Sequence, residues 1–129
     1  MEPETDRTEI ASMRRGYLKR RAEYEAARAD LMERARSDAA RIIAMIIREY
    51  RPLKVYQWGS LVQSDHFSER SDIDIAVEGI TDPGVFFEML GAAAEMTRFA
   101  VDLVQIETIH PRYADLIRRF GRLVYEKDA

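Results

Sequence analysis

Polar and apolar residues along the chain follow a helical period first and then alternate between strand and helix. Residues 5–36 contain no proline, one glycine (Gly16) and many strong helix formers. A long helix is predicted there, with a thin apolar stripe: Ile10, Tyr17, Tyr24 and Leu31 recur every seven residues, while the companion positions of a coiled-coil seam are mostly Arg or Ala. Ser37 reads as a cap or joint. In DAARIIAMIIREY the apolar face widens to Ile42, Ile43, Ile46, Ile47 and Tyr50, which predicts a second helix belonging to a core and ended by Arg51-Pro52.

The period then shortens. LKVYQW, residues 53–58, is β-branched and aromatic enough for a strand and ends at a Gly59-Ser60 turn. A second strand follows at residues 72–78, with Ile73, Ile75 and Val77 on one face and Asp72, Asp74 and Ala76 on the other. Thr81-Asp82-Pro83 opens a helix to about Thr97, because Asp caps and Pro suits the first helical position. FAVDLVQI, residues 99–106, is nearly all apolar and reads as a buried central strand. His110-Pro111 opens a last helix, PRYADLIRRF, closed by Gly121, and RLVYE makes a final strand.

Alternating strands and helices predict an α/β (α+β) fold, a small mixed sheet with helices packed on one face and a long N-terminal helix added to it. Domain limits follow: a helical extension over residues 1–37 and a catalytic-type unit over 38–129. A length of 129 residues suits one core, and 47% apolar with 33% charged residues is a soluble, globular profile. The densest apolar run, AARIIAMII, is far short of the roughly 20 residues of a membrane span. EPETDRTE after Met1 does not resemble a secretory leader, so the expected compartment is the cytoplasm. Cysteine is absent, which excludes disulfides and thiolate metal sites.

The net charge of −3 comes from the second part. Residues 1–50 hold eleven basic and ten acidic side chains, leaving nine and thirteen of the totals of 20 and 23 to residues 51–129. A protein that coats nucleic acid needs a basic excess, so extended nucleic-acid binding is not expected.

Three acids carry the candidate chemistry. Asp102 stands alone in an apolar strand, where an ionised carboxylate costs several kcal/mol, roughly, unless it is paired or metal-bound. A strand that set Asp102 beside Asp72 and Asp74 would gather three carboxylates, whose repulsion hard divalent cations resolve. An ion pair of Asp102 with Arg98 or Arg112 is the alternative. The glycine of Gly59-Ser60 allows close backbone approach at a strand end, and amides and a hydroxyl there can donate to phosphate. The histidines suggest no zinc site: His66 lies in a polar loop and His110 at a helix start.

Gly59-Ser60, SDID at residues 71–74 and VDLV at 101–104 together resemble the signature of the minimal nucleotidyltransferases, small members of the DNA polymerase β-like superfamily. The likeness covers roughly residues 41–126. It implies that Gly59 and Ser60 bind the nucleotide triphosphate. It also implies that Asp72, Asp74 and Asp102 hold one or two Mg2+ ions as the catalytic residues, with Asp102 activating the acceptor hydroxyl. One position departs: the family's Arg-Gly pair after the turn is replaced by Gln63-Ser64, for which Arg70 could substitute.

The resemblance implies transfer of AMP from ATP to an acceptor hydroxyl. Many small proteins of this kind resemble the antitoxin of a two-gene pair, in which a HEPN-type toxin is adenylylated on a tyrosine. Two readings stand: such an antitoxin enzyme, or a catalytically weak binding module of the same fold that neutralises its partner through its helices. The N-terminal helix reads either as a solvated arm that extends the domain or, as the line of Tyr17, Tyr24 and Leu31 favours, as a surface for that partner or for self-association.

Overall fold

The computed structural model describes residues 3–62, 67, 68 and 70–128, with the side chains of residues 3–5 and Ser60 outside that description. Helix α1 spans Pro3–Tyr50, β1 Lys54–Trp58, a 3-10 turn Gly59–Leu61, β2 Ile73–Glu78, α2 Pro83–Glu95, β3 Val101–Gln105, α3 Pro111–Phe120 and β4 Arg122–Glu126.

Ser37 is no joint. Helix α1 runs unbroken for 48 residues, about 72 Å at 1.5 Å per residue. Two well-formed helical sequences meet there with no proline or glycine between them, so nothing breaks the hydrogen-bond ladder. What changes near this point is burial. Ile10, Met13, Tyr17 and Tyr24 are exposed, whereas Met32, Ala35, Ala39, Ile42 and Ile46 are buried at alternating three- and four-residue spacing. The helix ends at Arg51, whose positive φ of 51° turns the chain while its N–H donates to the Ile47 carbonyl at 3.3 Å.

The sheet has the order β3-β2-β1-β4, antiparallel except for the β2–β3 pair. The expectation of a buried central strand at residues 99–106 is therefore corrected: β3, residues 101–105, is an edge. Its sequence is apolar because both of its faces are covered. Leu103 packs with Ile73, Ile75, Val77 and the buried residues of α1 and α2, while Val104 lies on the other side beside Tyr56 and Ala76.

Helices also cover both faces of the sheet, not one. On the second face Ala114 and Ile117 of α3 pack on Tyr56, Ala76 and Ile106. That places the face bearing Asp74 against α3, while α1 and α2 form the main core opposite. Helix α2 is capped as the sequence implies: Asp82 Oδ1 accepts from the N–H groups of Gly84 (2.8 Å) and Val85 (3.1 Å). His110 caps α3, its Nδ1 accepting from the Arg112 N–H at 3.1 Å. Among the described residues no helix is long and apolar enough to cross a membrane.

Candidate active site

Register decides what the strands can assemble. Asp74 of β2 pairs with Trp58 on one side and Asp102 of β3 on the other, so the three side chains share one face at one end of the sheet. Asp72, two residues before Asp74, joins them from just outside the strand. One carboxylate oxygen from each of Asp72, Asp74 and Asp102 lies within 4.8 Å of the other two. Neither arginine suggested as a partner pairs with Asp102: among the described residues Arg98 and Arg112 form no ion pair.

Without a cation such a cluster favours a bound proton. Burial first, then the charges of Asp102 and Asp72, and finally a hydrogen bond with Asp102 push the Asp74 carboxyl up to about 7. Asp102 is raised too, by burial and by the charge of Asp72, with the hydrogen bond from Asp74 opposing that rise. The pair thus tends to share a proton, as two carboxylates in one site do. An all-oxygen, negatively charged donor set of this kind suits a hard divalent cation.

The Gly59–Leu61 turn presses on the same carboxylate. Gly59 has φ of 80°, and a Cβ built there would collide with Asp74 Oδ2. Glycine is required twice here, by dihedral and by space, and the close approach the sequence suggests toward a ligand is made in this structure toward Asp74. Ser60 belongs to the turn by its backbone, while its side chain lies outside the described residues. Residues 63–66, which include the Gln63-Ser64 departure and His66, also lie outside them.

Two aromatic residues stand beside the cluster that sequence reasoning did not single out. The Trp58 ring meets the Tyr113 ring of α3 edge to face, with centroids 5.7 Å apart at 89°. The indole Nε1 of Trp58 is buried with no hydrogen-bond partner among the described residues. Burial, then the charges of Asp102 and Asp74, raise the Tyr113 phenol above its usual value. Only the packing of α3 over the aspartate face brings Tyr113 here, and no local pattern announces that.

An open groove of about 1120 Å³ leads away from Asp72, between α1 (Leu31, Arg41), the segment after α2 (Arg98) and Arg70. Arg41 pairs with Asp38, which also accepts from Thr97 Oγ1 at 2.7 Å, tying α1 to the segment before β3. Arg70 and Arg98 form no ion pair among the described residues.

Comparison with solved structures returns nucleotidyltransferase folds. A mutant toxin-antitoxin MntA-HpeT structure matches with a TM-score of 0.58 and 22% identity over 70% of this chain and 74% of that one. A toxin-antitoxin structure with AMP-PNP matches with a TM-score of 0.57 and 24% identity, over 68% and 73%. A protein of Sulfolobus solfataricus described as a nucleotidyltransferase matches with a TM-score of 0.50 and 23% identity, over 78% and 87%. At such identities the likeness concerns the fold, and no curated relative matches the chain. The family model "Polymerase beta, Nucleotidyltransferase" matches residues 41–129, from the core-facing turns of α1 to the last residue, and so takes in the turn and all three aspartates. The chain belongs to the polymerase β nucleotidyltransferase family.

Proposed function

We propose that the protein transfers AMP from ATP to a hydroxyl of a partner protein, a tyrosine of a HEPN-type toxin, and that it acts as the antitoxin of that pair. The observation that carries this reading is the gathering of Asp72, Asp74 and Asp102 against the Gly59–Leu61 turn. Support for the pairing comes from similar folds solved as toxin-antitoxin structures, one of them with AMP-PNP.

Asp72, Asp74 and Asp102 would hold magnesium, one ion or two, which supplies charge neutralisation of the triphosphate and of the oxygens that attack and leave. The rest is positioning by the chain itself. Gly59 and Ser60 take the triphosphate at the strand end. Asp74 gives up its shared proton when the site fills. Asp102, on the edge strand, accepts the proton of the acceptor hydroxyl. Arg70, in the groove wall next to Asp72, takes the place of the arginine missing after the turn.

The test is label transfer. With magnesium and ATP labelled in the α-phosphate, the product of the neighbouring gene should gain one adenylyl group. Asp72→Asn, Asp74→Asn and Asp102→Asn should each abolish the gain while keeping the fold. Full transfer by any of the three would refute the mechanism.

A second reading has its own observation. Gln63-Ser64 in place of Arg-Gly weakens the expected triphosphate grip, and the exposed stripe of α1 offers Tyr17 and Tyr24 for contact. Under it the protein neutralises its partner by binding alone. Tight binding to the partner without any label transfer would favour that reading.

A further inference from the structure

We propose that the chain modifies itself: the phenolic hydroxyl of Tyr113 is an intramolecular acceptor for the nucleoside monophosphate. The inference rests on the transfer reaction above and adds a second substrate to it, part of the enzyme itself.

Position comes first. Helix α3 lies on the aspartate face, and Tyr113 sits in its first turn, with its N–H bonded to the His110 carbonyl at 2.9 Å. The ring is held edge-on against Trp58, which pairs with Asp74, which in turn pairs with Asp102. The phenol is therefore fixed on the same face and at the same end of the sheet as the carboxylates. Both Asp102 and Asp74 act on it electrostatically, Asp102 more strongly.

Access comes second. Tyr113 is 43% exposed, so the hydroxyl can meet a nucleotide arriving from solvent. The other five tyrosines are placed elsewhere: Tyr17 and Tyr24 on the exposed arm, Tyr50 at the end of α1 beside Glu49 and Glu88, Tyr125 on β4 and Tyr56 buried in the sheet. Ser71, adjacent to Asp72, has its Oγ engaged by the Ser68 N–H at 2.9 Å.

The step balances without a further reagent. The phenolic oxygen forms a bond to the α-phosphorus of ATP, the bond from that phosphorus to the bridging β-oxygen breaks, and pyrophosphate leaves. The phenolic proton passes to Asp102 and then to water, and nothing is oxidised or reduced. An adenylylated Tyr113 would fill the mouth of the site, so self-modification would compete with transfer to the partner.

The experiment uses the full chain with magnesium and α-labelled ATP, alone and with the neighbouring gene product, followed by peptide mapping. One adenylyl group on the Tyr113 peptide is expected, lost in Tyr113→Phe and in Asp74→Asn and kept in Tyr125→Phe. The fraction labelled per unit time should stay constant over roughly tenfold dilution, as an intramolecular step requires. Label at another residue overturns the proposal, as does a rate that falls with dilution. Label on the partner with none on this chain overturns it and leaves the transfer reading standing. No label on either protein overturns both.

Discussion

Replacing Asp74 by Asn should make the metal-free chain more stable at pH 8. Folding lifts this carboxyl to about 7, against about 3.9 for an unperturbed aspartate. Between those values the folded chain holds a proton that the unfolded chain has released, so stability falls as pH rises. The penalty is absent below about pH 4, grows toward pH 7 and is complete above it. About 3 pH units at about 1.36 kcal/mol each give on the order of 4 kcal/mol as the full effect. Sharing of the proton with Asp102 lowers the part that Asp74 alone carries, so a gain of about 2–4 kcal/mol is expected at pH 8. Asn keeps the shape and a hydrogen-bond donor toward Asp102 but does not titrate. Urea unfolding with EDTA present, at pH 4, 6 and 8 for both proteins, reads the effect as a gap that opens with pH. Added magnesium should narrow the gap, since the intact triad gains by mass action, about 2.7 kcal/mol at a hundred times Kd. A mutant less stable than the parent at pH 8 in EDTA, or a gap independent of pH, would refute the account of three crowded carboxylates.

The other expectations concern the frame. Gly59→Ala should lose transfer and stability together, because the Cβ would meet the Asp74 carboxylate and φ is positive; wild-type melting and activity would refute the packing of the turn. Ile46→Ala, fully buried between α1 and the sheet, should cost about 2–5 kcal/mol in denaturant unfolding. Arg51→Gly should raise stability by up to about 1 kcal/mol, since an L-residue is disfavoured at φ of 51°. Starting the chain at residue 30 should leave a cooperative melt, because burial on α1 begins near Met32 and the main loss is the Arg28 bond to the Phe67 carbonyl at 2.9 Å. If partner binding and oligomeric state are unchanged in that truncation, the arm has no interaction role.

What the sequence revealed divides by the range of the forces involved. Strands, caps and turns follow from neighbours, and Asp82 before Pro83 or the alternation through Ile73, Ile75 and Val77 states them locally. The aspartate cluster was legible for a related reason. A charge inside FAVDLVQI is so costly that it implies its own company, and the parity of Asp72 and Asp74 supplies the face.

The features that escaped depend on how elements stack. An apolar run shows that both faces of a strand are covered, which holds for β3, but it does not show whether both edges are paired. Hydrogen bonding at an edge leaves no mark on side-chain polarity, so β3 read as central. Ser37 read as a joint because the composition changes there from charged to apolar; the helix continues because propensity, which is high on both sides, sets continuity, while burial sets only composition. Tyr113 is the sharpest case. In PRYADLIRRF its neighbours Ala114 and Ile117 announce the buried face of α3, but not which side of the sheet receives it. Once α3 is laid on the aspartate side, the first turn of that helix is carried to the carboxylates, and a phenol that looked like ordinary helix surface comes under the charges of Asp102 and Asp74. The strand pattern therefore tells which acids must meet, and helix placement decides what else they meet.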